Sequence, residues 1–178
     1  MKKFYMLAGC FFVGFVIFGL FVWPGNSPLK NNLYLKYELS KQGVEDKGYS
    51  DYVFTLSGRG YFLARMNTEG LFRQKIEDRV DRSFISPEGM ILSGPIGGLI
   101  WINPQEMKNK ETVPGGKVIA REEWQGYDVY VVEYPELENC RGYYDKTSGL
   151  QVGFSNHWSI EKLDAVLVDT NAQIARTE

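Results

Sequence analysis

From Leu33 onward the chain alternates apolar and polar residues with a period of two. Leu33, Leu35, Tyr37 and Leu39 stand between Tyr34, Lys36, Glu38 and Ser40, the pattern of a strand with one face in a core and the other in water. Tyr52, Phe54 and Leu56 repeat it, followed by Phe62, Ala64 and Met66, then by Phe72, Gln74 and Ile76. Shorter apolar runs lie at Phe84-Ile85, Met90-Ile91-Leu92 and Leu99-Ile100-Trp101-Ile102 and predict further short strands. Turn-forming residues separate these runs, at Asn67-Thr68-Glu69-Gly70, Ser86-Pro87-Glu88-Gly89, Pro114-Gly115-Gly116, Gln125-Gly126 and Asp145-Lys146-Thr147-Ser148-Gly149. Proline presets one turn angle and glycine supplies the positive one. Connections this short join antiparallel neighbours, because a parallel pair needs a long crossover.

Three segments depart from simple alternation. Tyr127-Asp128-Val129-Tyr130-Val131-Val132-Glu133-Tyr134 is apolar on both faces, which predicts a central strand covered on its second face by the folded sheet, a helix or a ligand. Asn103-Pro104-Gln105-Glu106 combines a capping residue, a proline at the first helical position and an early acid, and predicts one short helix ending near Asn109. Ile160 to Val168 fits either a helix (Ile160, Leu163, Leu167) or a strand (Leu163, Ala165, Leu167). The hairpin-like turns before it favour the strand. The expected fold is mainly β: over residues 29–178, a curved antiparallel sheet, a half-barrel-like meander, with one short helix.

The N-terminus obeys a different pattern. Twenty residues, Phe4 to Trp23, carry no charge and end at Pro24-Gly25. As a helix they match the roughly 30 Å hydrocarbon core of a bilayer. Lys2 and Lys3 precede the run and Trp23 stands where an interfacial aromatic belongs. Residues 1–28 therefore read as a single transmembrane anchor with a polar linker. The basic leader places the N-terminus in the cytoplasm of a cell membrane and the following domain outside it. A cleaved signal peptide has a shorter apolar core, of about 7–15 residues, and a small-x-small cleavage site. Gly25 and Ser27 supply that spacing only with Pro28 after the scissile bond. Leu7-Ala8-Gly9-Cys10 matches a lipobox in residue type, yet the apolar run continues past Cys10. A pilin stem often carries a glutamate inside its helix, and no acid lies between Met1 and Trp23.

Charge and cysteine content narrow the class. Beyond the anchor, 18 basic residues face 22 acids, a formal charge of −4, which argues against nucleic acid as a partner. Cys10 lies in the span and Cys140 in the domain, so no internal disulfide forms outside the membrane.

Candidate chemistry is sparse. One histidine, His157, and one domain cysteine, Cys140, do not make a structural zinc site. They would form a nucleophile pair only if Cys140 sat in an electropositive, partly open setting; Arg141 is adjacent, but Glu136, Glu138 and Asp145 crowd the same stretch. Gly94-Pro95-Ile96-Gly97-Gly98 and Gly115-Gly116-Lys117 lack the spacing of a phosphate loop and read as turns. Asp145-Lys146-Thr147 is similar to the phosphorylated aspartate motif of P-type ATPases, but Ser148-Gly149 breaks it. Glu122-Glu123, or Glu136 with Glu138, supply carboxylates with no spacing that selects a pair. Asp169-Thr170-Asn171 is too poor in ligands for a dedicated calcium loop. Aromatics make up 15% of the chain; Tyr34, Tyr49, Tyr61, Tyr143, Tyr144 and Trp158 belong in cross-strand packing or in an exposed row suited to sugars or an apolar guest. No residue emerges as catalytic, cofactor-binding or metal-ligating, and the chain does not read as an enzyme.

Three segments, Trp101-Ile102-Asn103-Pro104, Tyr143-Tyr144-Asp145-Lys146-Thr147-Ser148-Gly149-Leu150 and Leu167-Val168-Asp169-Thr170-Asn171, occur in this order. Together they resemble uncharacterised membrane-anchored archaeal proteins, in which a W-I-N-P-like segment precedes a Y-Y-D-K-x-T-G-L turn and a terminal strand ending in T-N. Ser148 is one residue more than that pattern has. At the level of fold, such a meander resembles the lipoprotein-localisation (LolA/LolB-like) half-barrel, whose curved sheet wraps an apolar cavity for acyl chains. The resemblance implies a membrane-tethered extracytoplasmic binding module that shelters a lipid or other apolar ligand on its sheet. The other expectation is a structural or interaction subunit of a cell-envelope complex, with a protein partner and no small-molecule ligand.

Overall fold

The computed structural model describes residues 27–58, 60–137, 140–156, 162–174 and 176. The predicted anchor, Phe4 to Trp23, lies outside the described residues, as do Cys10, His157 and Trp158. Among the described residues no helix is long and apolar enough to cross a membrane.

Among the described residues, ten strands form one open, curved antiparallel sheet. They are β1 (Leu33–Lys41), β2 (Gly48–Leu56), β3 (Phe62–Glu69), β4 (Gln74–Val80), β5 (Thr112–Val113), β6 (Gly116–Trp124), β7 (Tyr127–Tyr134), β8 (Cys140–Asp145), β9 (Gln151–Asn156) and β10 (Leu163–Thr170). Among the same residues one short helix, α1 (Pro104–Asn109), interrupts them. The predicted alternation holds: Leu33, Leu35, Tyr37 and Leu39 are buried on β1, and opposite them lie Phe54, Tyr52, Ser50 and Gly48 on β2. Phe62, Ala64 and Met66 on β3 and Ala165 and Leu167 on β10 continue this concave, apolar face. Of the ambiguous C-terminal stretch, Leu163 to Val168 lie in the strand β10, while Ile160 lies outside the described residues; β4 begins at Gln74, so Phe72 lies ahead of it.

The strand order is β4-β3-β2-β1-β10-β9-β8-β7-β6-β5. It is thus two meanders, not one, joined where the first and last strands pair. Residues after β10 fasten that seam. Asn171 Oδ1 accepts from Tyr34 N at 2.9 Å, Asn171 Nδ2 donates to Asn32 O at 2.8 Å, and Thr170 Oγ1 donates to Tyr34 O at 2.7 Å. This order also leaves β4 on one edge and β5 on the other, so the chain between them must cross the whole sheet.

It crosses over the concave face. The three short apolar runs at Phe84-Ile85, Met90 to Leu92 and Leu99 to Ile102 are not strands of the sheet. They meet only through single bridges, Ile85 with Ile91, Ser93 with Leu99 and Trp101 with Leu150. Turn-formers every few residues leave no length for a ladder, and most of the apolar side chains serve as filling, with Met90 and Ile91 left exposed. Phe84 packs edge-on against Phe54 with ring centroids 5.4 Å apart and stacks on Trp101 at 5.8 Å. Phe84, Ile100, Trp101, Ile102 and Met107 are all buried. Trp101 Nε1 donates to Ser148 O at 2.8 Å. Its ring crowds Gly149, where φ is +73° and a Cβ would meet Ile102 O at 2.0 Å, so only glycine fits this turn.

Two further predictions hold. Asn103 caps α1, its side chain accepting from Gln105 N at 3.0 Å, with Pro104 in the first turn. Strand β7 is buried on both faces; Tyr127 OH reaches Leu167 O on β10 at 2.8 Å although two strands stand between them. The sheet curves here, and the chain after β10 also lies against β7: Arg176 bridges to Tyr127 and donates to its hydroxyl at 3.1 Å. A bulge within β6 and another between β8 and β9 supply the bend.

Candidate binding groove on the concave face

The crossing segment is pinned to the sheet by buried tyrosines. Tyr52 OH donates to Ser93 O at 3.1 Å, and Tyr144 OH donates to Leu99 O at 2.9 Å while accepting from Leu99 N at 3.2 Å. Tyr134 OH is hydrogen-bonded to Tyr144 OH and also accepts from Leu99 N at 3.3 Å. Gln151 Nε2 donates to Gly97 O at 3.1 Å, and Tyr37 OH donates to Gln151 O at 2.7 Å. Each of these phenols sits where its ring is in the core and its hydroxyl finds backbone, the arrangement a buried tyrosine requires.

What the crossing segment leaves uncovered is a groove of about 390 Å³, open to solvent, at the end of the sheet where β3 stops and β4 and β10 start. Met66, Phe72, Ile76, Ile96 and Leu163 form its apolar walls, and Ser93 and Gly94 line it as well. Phe72, Ile76, Ile96 and Leu163 are only half-buried, so their apolar surface is available to a guest. Nearby on the same face of β2 and β3, Ser50 and Thr68 are buried and satisfy each other at 2.8 Å. Next to Gly94, Gln151 Oε1 is buried with no hydrogen-bond partner among the described residues. It lies against Gly94, whose added Cβ would stand 1.9 Å from that oxygen. A second depression, about 270 Å³, lies between α1 and β6 and is lined by Lys108, Lys110, Glu111 and Arg121 among others; its charged walls suit water better than an apolar guest.

The residues singled out for chemistry are dispersed. Cys140 is buried on β8, its Sγ 3.4 Å from Asn156 Oδ1. That is not the open, electropositive setting a reactive thiolate needs, and His157 lies outside the described residues. Asp145 is fully buried and holds its own turn: Oδ1 accepts from Ser148 N at 2.6 Å and Ser148 Oγ at 2.7 Å. Lys146 pairs instead with Asp128. The segment Gly94 to Gly98 belongs to the crossing chain; Gly115 lies in the β5–β6 turn and Gly116 begins β6. Glu122 and Glu123 are exposed neighbours on β6, and Glu136 is exposed; Glu138 lies outside the described residues. Thr170 and Asn171 spend their oxygens on the β1–β10 seam. Among the described residues no three His, Cys, Asp or Glu side chains converge as metal ligands would.

The aromatics divide likewise. Tyr143 lies under Trp124, rings 4.1 Å apart and nearly parallel, and Tyr144 is in the tyrosine pin. Tyr49 and Tyr61 lie under cations, Lys36 at 5.0 Å and Arg79 at 5.1 Å. They do not form the exposed row that a sugar platform would need. Tyr34 donates to Asp51 Oδ1 at 3.1 Å; desolvation first, and Asp51 second, push its hydroxyl up to about 12 from an ordinary 10. Burial likewise raises Tyr37, Tyr52, Tyr134 and Tyr144.

These shifts carry a sign. A phenol that holds its proton more tightly when folded stabilises the fold fully below its unfolded value of 10, and that stability is lost as pH rises through the folded value. For Tyr34 the window runs from pH 10 to about 12. Tyrosinate absorbance and far-ultraviolet dichroism followed together should show the pinned tyrosines ionising only as the sheet is lost. Ionisation of all tyrosines with the sheet intact would contradict the pin.

Sequence reasoning missed the groove, because its walls come from four separated stretches and no motif joins them. No protein-family model and no curated protein matches the chain. Among solved structures, the fold is similar to MucB in its complex with MucA(peri), at 12% sequence identity and a TM-score of 0.45, over 86% of this chain and 54% of that one. This chain therefore spans about half the length of that one, and neither function nor family membership follows from so loose a likeness.

Proposed function

We propose that this chain is a membrane-tethered extracytoplasmic interaction module, whose concave groove takes an apolar side chain or short apolar segment of an envelope protein. Phe4 to Trp23 supplies the tether, with the N-terminus in the cytoplasm and the β domain outside. The observation that carries the reading is the crossing segment. Phe84, Ile100, Trp101 and Met107 fill the concave face where an acyl chain would have to lie. The remaining groove, about 390 Å³, lies at the lower end of the range for ligand pockets, roughly 300–1,000 Å³. Half-buried Phe72, Ile76 and Ile96 around a small depression form the kind of socket that anchors one partner residue at an interface.

A photo-crosslinking residue placed at Ile96 in the full chain, activated in native membranes, tests this. The expected product is a discrete adduct with a second protein. Phe72→Asp should weaken capture by about thirtyfold, the equivalent of ~2 kcal/mol for losing an interface anchor. Adducts with lipid alone would favour the lipid-sheltering reading instead, and no adduct would remove the groove as a binding site.

A further inference from the structure

We infer that the end of the β domain carrying the β2–β3 turn and the Ser86–Met90 loop rests on the bilayer, with Leu56 and Met90 inserted at its surface. The inference builds on the tether proposed above and adds an orientation and a lipid contact to it. Of the large apolar side chains that the described residues leave exposed, Met90 (65%) and Leu56 (52%) are the two most exposed. Both belong to one end of the sheet. Leu56 closes β2 and pairs with Phe62, which pairs in turn with Val80; after Val80 two tight turns, closed by Asp81 N to Ile85 O at 2.8 Å and by Ser86 N to Met90 O at 2.7 Å, fold the chain back and keep Met90 near that end. Ile91, next to Met90, is also exposed.

The uncharged segment arrives at this same end. Leu29 is buried in the domain, and Asn31 Oδ1 accepts from Leu56 N at 2.8 Å. Only Pro24 to Pro28 separate Trp23 from Leu29. Even fully extended, that stretch spans at most about 20 Å. A bilayer holding Phe4 to Trp23 is therefore within reach of Leu56 whatever path the linker takes. Such a short leash makes the contact intramolecular, at an effective concentration near the millimolar range, so two or three apolar side chains suffice where they would not hold a detached domain. The charges near these side chains are mixed: Lys30 and Arg82 are exposed, and Glu88 accepts from Ser86 Oγ at 2.9 Å. With a net −4 on the domain, apolar insertion and not attraction to anionic headgroups is the driving force. The orientation also leaves the groove facing away from the membrane, since it opens at the opposite end of β1, β2 and β3.

The test uses the full chain in zwitterionic phosphatidylcholine vesicles. Single labels are introduced as Leu56→Cys, Met90→Cys and, at the opposite end in the β1–β2 turn, Val44→Cys, each with Cys10→Ser, and are read by an environment-sensitive fluorophore. Lipids carrying a shallow quencher should quench the labels at 56 and 90 several-fold more strongly than the label at 44. Equal quenching at all three positions, in protein that resists alkaline carbonate extraction, would overturn the orientation while leaving the tether standing. Release of the protein by carbonate would overturn the tether, and the orientation with it.

Discussion

Replacing Trp101 with alanine should lower the stability of the β domain by about 3–5 kcal/mol, the usual cost of deleting a buried large aromatic. In a domain of this size that corresponds to a melting temperature lower by about 6–20 °C. The side chain is the keystone of the crossing segment: it stacks on Phe84, donates to Ser148 O at 2.8 Å and roofs Gly149. Its loss leaves a cavity between two layers that otherwise touch, and an orphaned carbonyl at the Asp145–Gly149 turn. Trp101→Phe retains most of the ring and loses only the hydrogen bond, so it should cost about 1–2 kcal/mol beyond any change in packing. Thermal unfolding followed by near-ultraviolet dichroism reports both. Equal stability of wild type and Trp101→Ala would mean that the crossing segment contributes little to the fold.

Tyr144→Phe should cost about 1–3 kcal/mol, the price of leaving a buried polar group unsatisfied. The hydroxyl serves both Leu99 O and Leu99 N and is hydrogen-bonded to Tyr134. Without it, Leu99 N keeps Tyr134 as an acceptor but Leu99 O has lost its donor. The change is isosteric in the ring, so the loss measures the pin and not the packing. Chemical denaturation should show a lower midpoint with an unchanged slope. A slope that falls would report instead that the crossing segment had already loosened in the native state.

The sheet and the segment that crosses it were unequally legible in the sequence. Alternation along β1, β2 and β3 showed because one face of each strand is half-solvated, and residue type follows burial there with a period of two. The cap at Asn103 and the double-sided burial of β7 showed for the same local reasons. The crossing of the concave face did not. Phe84, Leu92 and Ile100 are apolar because they cover a sheet, and over two or three residues that is indistinguishable from being part of one. The β1–β10 seam was hidden because it joins residues more than a hundred positions apart, and its polar clasp at Thr170 and Asn171 looked like loop chemistry. The groove had no signature at all: Met66, Phe72, Ile76, Ile96 and Leu163 each read as ordinary apolar positions, and only the fold makes them neighbours.

The claim on which the rest depends is that the chain's own segment between β4 and β5 occupies the concave face. Hydrogen exchange on the full-length protein addresses it residue by residue. The amides of Leu92, Leu99, Ile100 and Ile102, which donate to Phe84 O, to the tyrosine pin, to Leu92 O and to Gly149 O, should exchange as slowly as those of Val129 and Val131 in β7. If they exchange as fast as the β2–β3 turn while β7 stays protected, the segment is a loose lid over an accessible cavity, and the account fails.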